Sequence, residues 1–438
     1  MPIANIKSSR IGKLAAIKKA GINPYPIKVK RTHTIEEALA DFDNLAGIKT
    51  KLSLVGRIRS VREQGALTFL HFEDGTGKMQ ALLKQDKIGD KNYRFFLANF
   101  DIGDFIEISG ILFKTKRGEK TIEVSDFKIL AKTLLPLPEK WHGLQDVEER
   151  FRKRYLDLIM NIPVREKFVM RSHILKELRR ILDDQGFMEV ETPILQPIPG
   201  GALAKPFKTH LNALKMDLYL RISPELYLKR LLVGGLEKVY EIGRCFRNEG
   251  MDKHHNPDFT MLELYWAYQD RDGLMKFVED LFQELLGRVK KNLDFSYQGE
   301  VINFKSPWKR IRFGEIDFEK DKEKIIQPTF VIDHPTKMAI LAKAKENDPK
   351  HADRFQMVAG GIELINGFSE LNDPQEQQKR FKAAKIETER KDKDFLEALE
   401  YGMPPAAGLG MGIDRLVALL TDSHTLREAI LFPTMRPR

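Results

Sequence analysis

The 438-residue chain is long enough for two or three domains, and its 42% hydrophobic and 31% charged residues fit a folded, water-facing protein. Its apolar runs are short and broken by charge, which excludes a spanning helix, and its basic first twenty residues lack the apolar core of a secretory leader. A single cysteine, Cys245, excludes a disulfide framework and a multi-cysteine zinc site, which together with the foregoing points to the cytoplasm.

The net charge of +10 is unevenly placed: residues 1–135 hold 24 Lys and Arg against 15 Asp and Glu, and the rest is close to neutral. That asymmetry suggests a nucleic-acid-facing module beside a near-neutral body. Residues 7–20 predict a basic helix with Ile11, Leu14, Ala15 and Lys18 along one side. Thr34-Ile35-Glu36-Glu37 has the form of a capping box. From residue 51 the texture turns to short strands, at 53–59, 67–73, 78–83, 105–113 and 121–130, with a helix-like insertion after the third. Five such strands predict an OB-fold barrel. Barrels of this type present aromatic and polar side chains to single-stranded bases, and Phe69 and Gln80, among Arg57, Arg59 and Arg62, suit that task.

Leu135-Pro136-Leu137-Pro138 is a stiff linker and the expected domain boundary. A helical region at 148–158 precedes a long amphipathic helix at 165–185, with Phe168, Ile174, Leu175, Leu178, Ile181 and Leu182 at helical spacing. A strand over 187–193 ends in Pro193, another lies near 218–222, and a helix lies around 274–290. Residues 305–324 are charged and irregular, 330–332 and 355–364 are extended, and 374–400 is a charge-laced helix with a thin apolar stripe. A Gly-rich run at 408–412 leads into the apolar helix 416–421. Strands and helices do not alternate regularly, so the body is α+β, an antiparallel sheet with helices packed on it.

The chain is organised around residues 240–268, two strand-like runs flanking a polar turn. In the second run Met261, Glu263 and Tyr265 share one face and Leu262, Leu264 and Trp266 the other. That pattern fits a site-bearing strand or an edge strand with a solvated face. The Gly-rich run is weak evidence for a dinucleotide fold, because no βαβ unit follows it. Phe246-Arg247-Asn248-Glu249 with Phe259 downstream, Gly410-x-Gly412-x-Asp414-Arg415, and the strand ending at Pro193 resemble the three motifs of class II aminoacyl-tRNA synthetases. With a β-barrel at the N-terminus, the arrangement resembles subclass IIb, the lysyl, aspartyl and asparaginyl enzymes. The phrases Trp141-His142-Gly143-Leu144-Gln145-Asp146, Arg154-Tyr155-Leu156-Asp157-Leu158, Pro224-Glu225-Leu226-Tyr227-Leu228-Lys229-Arg230 and Asn366-Gly367-Phe368-Ser369-Glu370-Leu371-Asn372-Asp373 are similar to its bacterial-type lysyl branch.

The resemblance implies an N-terminal helical extension (1–50), an OB-fold anticodon-binding domain (51–135), a linker (136–147) and a class II catalytic domain (148–438). It implies ATP-dependent ligation of L-lysine to lysine tRNA through a lysyl-adenylate, by a Mg²⁺-dependent homodimer without a membrane anchor. Adenylation brings a carboxylate onto the α-phosphorus of ATP, so fixed cations matter more than a nucleophile or a general base. By the same resemblance Arg247 meets the α-phosphate and the substrate carboxylate, and Arg415 the γ-phosphate. Phe259 stacks on adenine with Glu249, His255 and Asn256 nearby. Glu263, Tyr265 and Glu370 take the side-chain ammonium, Asn366 and Phe368 line its stem, and Glu225 takes the α-ammonium beside Gly201. Glu363 holds magnesium, and Phe69, Gln80 and Glu119 read a U-rich anticodon.

Four features depart from the family. Gln356 stands where a second magnesium carboxylate is usual, so charge at that place is lower. His254, after Lys253, replaces an Arg before His-Asn-Pro, and ATP use should fall as His254 deprotonates. Residues 305–327 are shorter than in the usual bacterial enzyme, and 338–343 lacks the usual Ser-Pro. Glu363 and Glu370 would face opposite ways on a straight strand, so a turn at Asn366-Gly367 is expected to return both to one cavity around a cation. Two other functions fit the same residues. One is a diverged paralogue that passes lysyl-adenylate to a protein or a dinucleotide product; the other is a non-catalytic RNA-binding relative.

Overall fold

The computed structural model describes residues 2–138, 144, 146–201, 204–384 and 392–437. The chain forms two compact units, Met1–Gly143 and Leu144–Arg438. Trp141, His142, Gly143 and Gln145 of one quoted phrase, and 385–391 of the expected 374–400 helix, lie outside the described residues.

In the first unit, helix α1 (Ile3–Lys19) precedes strands β1 (Leu52–Gln64), β2 (Leu67–Glu73) and β3 (Lys78–Lys84), helix α2 (Asp90–Asn99), and strands β4 (Phe105–Lys114) and β5 (Lys120–Ala131). The strands close into a barrel in the order β1-β2-β3-β5-β4. Alternation builds it: Leu70 and Phe72 of β2 point inward with Ile106 and Ile108 of β4, while Phe69 and His71 stay half-exposed outside. Helix α2 contributes buried Tyr93 and Phe96 to the barrel core. The capping box forms as expected, with Glu37 N–H donating to Thr34 Oγ1 at 3.1 Å and Thr34 N–H to Glu37 Oε2 at 2.7 Å. Helix α1 docks through a different side from the one expected. Ile11 is exposed, and the buried residues are Ile17 and Arg10, whose guanidinium donates to Thr133 Oγ1 and to the carbonyls of Leu135 and Ile102. A buried Arg satisfied by carbonyls is invisible to an apolar-spacing rule.

The second unit carries an eight-stranded sheet. The strands of that sheet and the main helices around it are, in chain order, α3 (Ile162–Asp184), β6 (Met188–Glu189), α4 (Glu225–Val233), β7 (Lys238–Phe246), β8 (Asp258–Ala267), α5 (Arg271–Val289), β9 (Lys309–Arg312), β10 (Thr329–Ile332), β11 (Arg354–Ala359), β12 (Ile362–Ser369), α6 (Pro374–Ala383), α7 (Lys393–Glu400), β13 (Ala406–Gly412) and α8 (Ile413–Leu420). The strand order is β9-β10-β11-β12-β13-β8-β7-β6. The interior pairs are antiparallel, as expected, but both edge pairs, β9/β10 and β6/β7, are parallel, so the sheet is mixed. The expected strand 187–193 pairs only over Met188–Glu189, and 148–158 splits into the helices Val147–Arg152 and Arg154–Met160.

Strand β8 lies inside the sheet, between β7 and β13, so the edge-strand alternative is excluded. Leu262 and Leu264 join the core built by Ile174, Leu178, Leu182 of α3, Leu274, Val278, Phe282 of α5, and Leu416 and Leu419 of α8. The opposite face of β8 is left for Met261, Glu263 and Tyr265. Phe355, Met357 and Ile365 continue the same apolar layer on β11 and β12, and truncating such a ring to Ala would cost about 3–5 kcal/mol.

The segment 355–364 is a hairpin, not one extended run. It turns at Gly360-Gly361, whose φ values of 59° and 73° suit a two-residue hairpin turn. Asn366-Gly367 lies within an unbroken strand, pairing with Gly410 and Leu409, which overturns the expected turn there. Gly367 serves close approach instead: a Cβ would meet the Phe355 ring at 2.6 Å. The only irregularity between β11 and β12 falls at Leu364, where the register steps from Ile365 to Glu363.

Candidate active site

Two adjoining cavities open on the sheet face opposite the core helices. The larger, about 520 Å³, is bounded by the 247–257 loop, strands β8 and β12, and the start of α8. The smaller, about 110 Å³, lies between β8, β12, β13 and the start of α4. Arg247, Met261, Asn366 and Gly410 line both, so the two are halves of one cleft.

In the larger half, Arg247 immediately follows β7, and its guanidinium carbon sits 5.0 Å from the Phe259 ring centroid. Its Nε is buried with no hydrogen-bond partner. Arg415 occupies the first turn of α8. It donates from Nη1 to the Glu363 carbonyl at 2.9 Å and from Nη2 to His255 Nε2 at 3.2 Å. Since that nitrogen accepts, His255 Nδ1 carries the proton and donates to Asp252 Oδ2 at 2.8 Å. The chain Asp252–His255–Arg415 thereby aims the guanidinium. Glu249 and Glu363 line the same space, and Asn256 Oδ1 is buried there without a partner. His254 also lines it, and burial, reinforced by Arg415, pulls its pKa below the ordinary value, so it adds no charge at neutral pH.

The smaller half is lined by Gly201, Ser223, Glu225, Glu263, Tyr265 and Phe368 beside the shared residues. Glu263 is buried and accepts from Ser223 Oγ at 2.7 Å and from the Tyr265 hydroxyl at 3.1 Å. Burial first, then the nearby Glu225 carboxylate, pushes Glu263 up to about 7. Glu370, one residue past β12, is fully buried at the end of this half. Gly408 keeps the floor open, because a Cβ there would meet the Tyr265 ring at 2.4 Å and Glu370 Oε1 at 2.5 Å. The eight residues expected around an amino acid are thus brought together, seven on the walls and Glu370 behind them. Cys245 next to this site is buried, and its burial pushes the thiol up to about 12, which leaves it a small inert packing residue.

The expected pairing of Glu363 with Glu370 around one cation does not occur. Glu363 faces the larger half, whereas Glu370 faces Lys229, whose Nζ lies 2.5 Å from Oε2. Gln356 is not on the cavity wall. Its Oε1 accepts from His334 Nε2 at 2.7 Å, and burial drives His334 down to about 4, which keeps that imidazole neutral and donating. No group of three or more His, Cys, Asp or Glu able to hold a metal occurs among the described residues. Of the carboxylates lining the larger half, Asp252 is held by His255 and Asp414 by Arg171 and the Thr260 N–H, so what the site offers a magnesium ion is Glu363, with Glu249 in the same cavity, a space wide enough for nucleotide phosphates. That donor set fits, since Mg²⁺ typically takes one or two carboxylates and fills its shell with phosphate and water.

On the barrel, Gln80 Nε2 donates to Glu119 Oε2 at 2.7 Å, and His71 Nε2 lies 2.9 Å from Glu119 Oε1. Phe69 stands two residues before His71 on the same outer face of β2. The three residues expected to read bases thus share one surface, with His71 as an unforeseen fourth. Also unforeseen were Ser223, Arg354, whose Nε donates to Asn366 Oδ1 at 2.7 Å, and Lys229. Lys229 follows Glu225 by four residues, a spacing that reads as an ordinary surface pair on a helix. Nothing local signals that this pair is buried.

A family model described as tRNA synthetases class II (D, K and N) matches residues 146–436, and one described as OB-fold nucleic acid binding domain matches residues 52–130. Among similar proteins, a lysine–tRNA ligase of Carboxydothermus hydrogenoformans is 47% identical over 98% of this chain and 97% of its own length. One of Pelotomaculum thermopropionicum is 47% identical over 97% and 94%, and one of Roseiflexus castenholzii 45% over 100% of both. These alignments run over 478 to 488 positions, longer than the chain itself, so the relatives carry internal residues that it lacks.

Proposed function

The chain belongs to the class II tRNA synthetases (D, K and N), and from that premise we infer that it ligates L-lysine to lysine tRNA with ATP, through a lysyl-adenylate. The observation that carries this reading is the position of Arg247, on the wall shared by a nucleotide-sized cavity and a small one walled by carboxylates. In the first step a lysine carboxylate oxygen bonds to the α-phosphorus of ATP and the bond to pyrophosphate breaks. Arg247, with its Nε unpartnered, contacts both anions and neutralises the growing charge on the phosphorus oxygens. Arg415, aimed by His255, holds the leaving pyrophosphate. Phe259, covered on one face by Arg247, stacks the adenine, with Glu249 and Asn256 at its edge. Glu363 would hold Mg²⁺ on the phosphates, where the ion would neutralise charge.

Glu225 takes the α-ammonium beside Gly201, while Glu263, Tyr265 and Glu370 take the side-chain ammonium, with Asn366 and Phe368 along the stem. Phe69, Gln80 and Glu119 read the anticodon by stacking and edge hydrogen bonds. The terminal tRNA hydroxyl then attacks the adenylate carbonyl and releases AMP. Transfer to a protein or a dinucleotide product gains nothing from an intact barrel, and a non-catalytic role leaves the convergence on Arg247 without purpose. We further assign a homodimer, formed through the region before Pro193, working in the cytoplasm; no described helix is long and apolar enough to cross a membrane. ATP–pyrophosphate exchange that requires lysine, and that aspartate or asparagine does not support, tests the adenylation step; exchange driven by either of those overturns it.

A further inference from the structure

The side chain of Lys229 is fully buried, with its ammonium 2.6 Å from Glu225 Oε1 and 2.5 Å from Glu370 Oε2. The Phe368 and Tyr265 ring centroids lie 5.3 and 5.9 Å from it. Helix α4 thus places behind the closed end of the pocket a cation of the same chemistry as the substrate's own terminus. Removing one member of a buried ion pair leaves an uncompensated charge, which is why such a lysine is not interchangeable with an apolar residue.

Around this end stand three carboxylates, Glu225 and Glu263 on the wall and Glu370 behind it, and two cations, Arg247 on the wall and Lys229 behind it. With every group ionised, as binding an ammonium requires, they sum to one negative charge, while lysine, with two ammonium groups and one carboxylate, carries one positive charge. The filled pocket is then neutral. An amino acid with a neutral or acidic side chain leaves it charged in a desolvated site, which is strongly unfavourable.

We propose that Lys229 is a positioning residue that sets lysine specificity: given that the small cavity takes lysine, its ammonium fixes the Glu225 and Glu370 carboxylates and cancels one of the pocket's three negative charges. The substrate-free pocket shows the strain that remains. Burial, with Glu225 adding to it, pushes Glu263 up to about 7 and Glu370 up to about 8, and Lys229 is the neighbour that pulls Glu370 the other way. Lys229 itself is raised, the two carboxylates outweighing its burial.

The test is lysine-dependent ATP–pyrophosphate exchange by the wild-type protein and by Lys229→Met, from about pH 6.5 to 8.5. At about pH 7 the variant's KM for lysine rises at least tenfold, since without Lys229 the Glu370 carboxyl gives up its proton less readily on binding; its KM for ATP stays unchanged. As pH increases, the variant's KM for lysine falls more steeply than that of the wild type. A folded Lys229→Met with wild-type KM for lysine and the wild-type pH profile overturns the proposal. Absence of lysine-dependent exchange in the wild type is a different failure, that of the lysine reading itself. If Lys229→Met does not fold, the double variant Lys229→Met/Glu370→Gln decides, because it restores the pocket's charge. Recovery of a cooperative melt supports the proposal, and equal failure of both variants overturns it.

Discussion

At the small end of the cleft every carboxylate already faces a cation or a donor: Glu225 and Glu370 pair with Lys229, although neither Glu370 oxygen makes a hydrogen bond, and Glu263 accepts from Ser223 and Tyr265. At the large end Arg247 Nε and Asn256 Oδ1 are buried with no partner, and Arg415 is held by a carbonyl and a histidine rather than a carboxylate. The contrast follows from what each end must do. A discriminating pocket gains from buried carboxylates that only the right ammonium completes, since the wrong substrate leaves them unpaired. A site for phosphoryl chemistry gains from preorganised cations that no resident anion has quenched.

If this contrast holds, substitutions at the two ends should fail in different ways. The largest loss belongs to Arg247→Ala, which serves both halves: adenylation should fall by ~10²–10³ in kcat, the scale of one preorganised donor. Arg247→Lys should not restore it, because a point charge cannot fork between two anions. Glu370→Gln should instead raise KM for lysine by on the order of 10², leaving KM for ATP alone, as expected when a buried charged terminus loses its acceptor. Equal effects of Glu370→Gln on both substrates would erase the distinction between the ends.

Smaller effects sharpen the comparison. Phe69→Ala should raise KM for tRNA roughly tenfold, consistent with about 1–3 kcal/mol per stacked base, with pyrophosphate exchange untouched. For wild-type protein, pH should act on the lysine end. Binding an ammonium needs Glu263 and Glu370 deprotonated, and their pKa values are raised to about 7 and about 8. Affinity for lysine should therefore increase as pH rises through that window and weaken below it. At the ATP end the smallest effect is expected: His254, with its pKa lowered by burial, is already neutral above the ordinary His range, so KM for ATP should be flat there.

Much of this was legible in the sequence because chemistry and periodicity coincided. The alternation of Met261, Glu263 and Tyr265 against Leu262 and Leu264 placed a site face and a core face on one strand, and Arg247 and Arg415 stood in motifs. The misses have physical causes. Asn366-Gly367 looks like a turn locally, yet the hairpin closes at Gly360-Gly361, and Gly367 is small because Phe355 presses on it. Gln356 reads as a metal ligand by position but spends its oxygen on His334. Lys229 and Arg10 are long charged side chains whose burial is decided by partners far away in sequence, which no local pattern records.

The central claim is tested most directly by aminoacylation of lysine tRNA with labelled lysine. The protein should charge that tRNA in an ATP-dependent manner, and an excess of unlabelled aspartate or asparagine should not compete. Lysine-dependent exchange without tRNA charging, or charging with aspartate or asparagine in place of lysine, would contradict it.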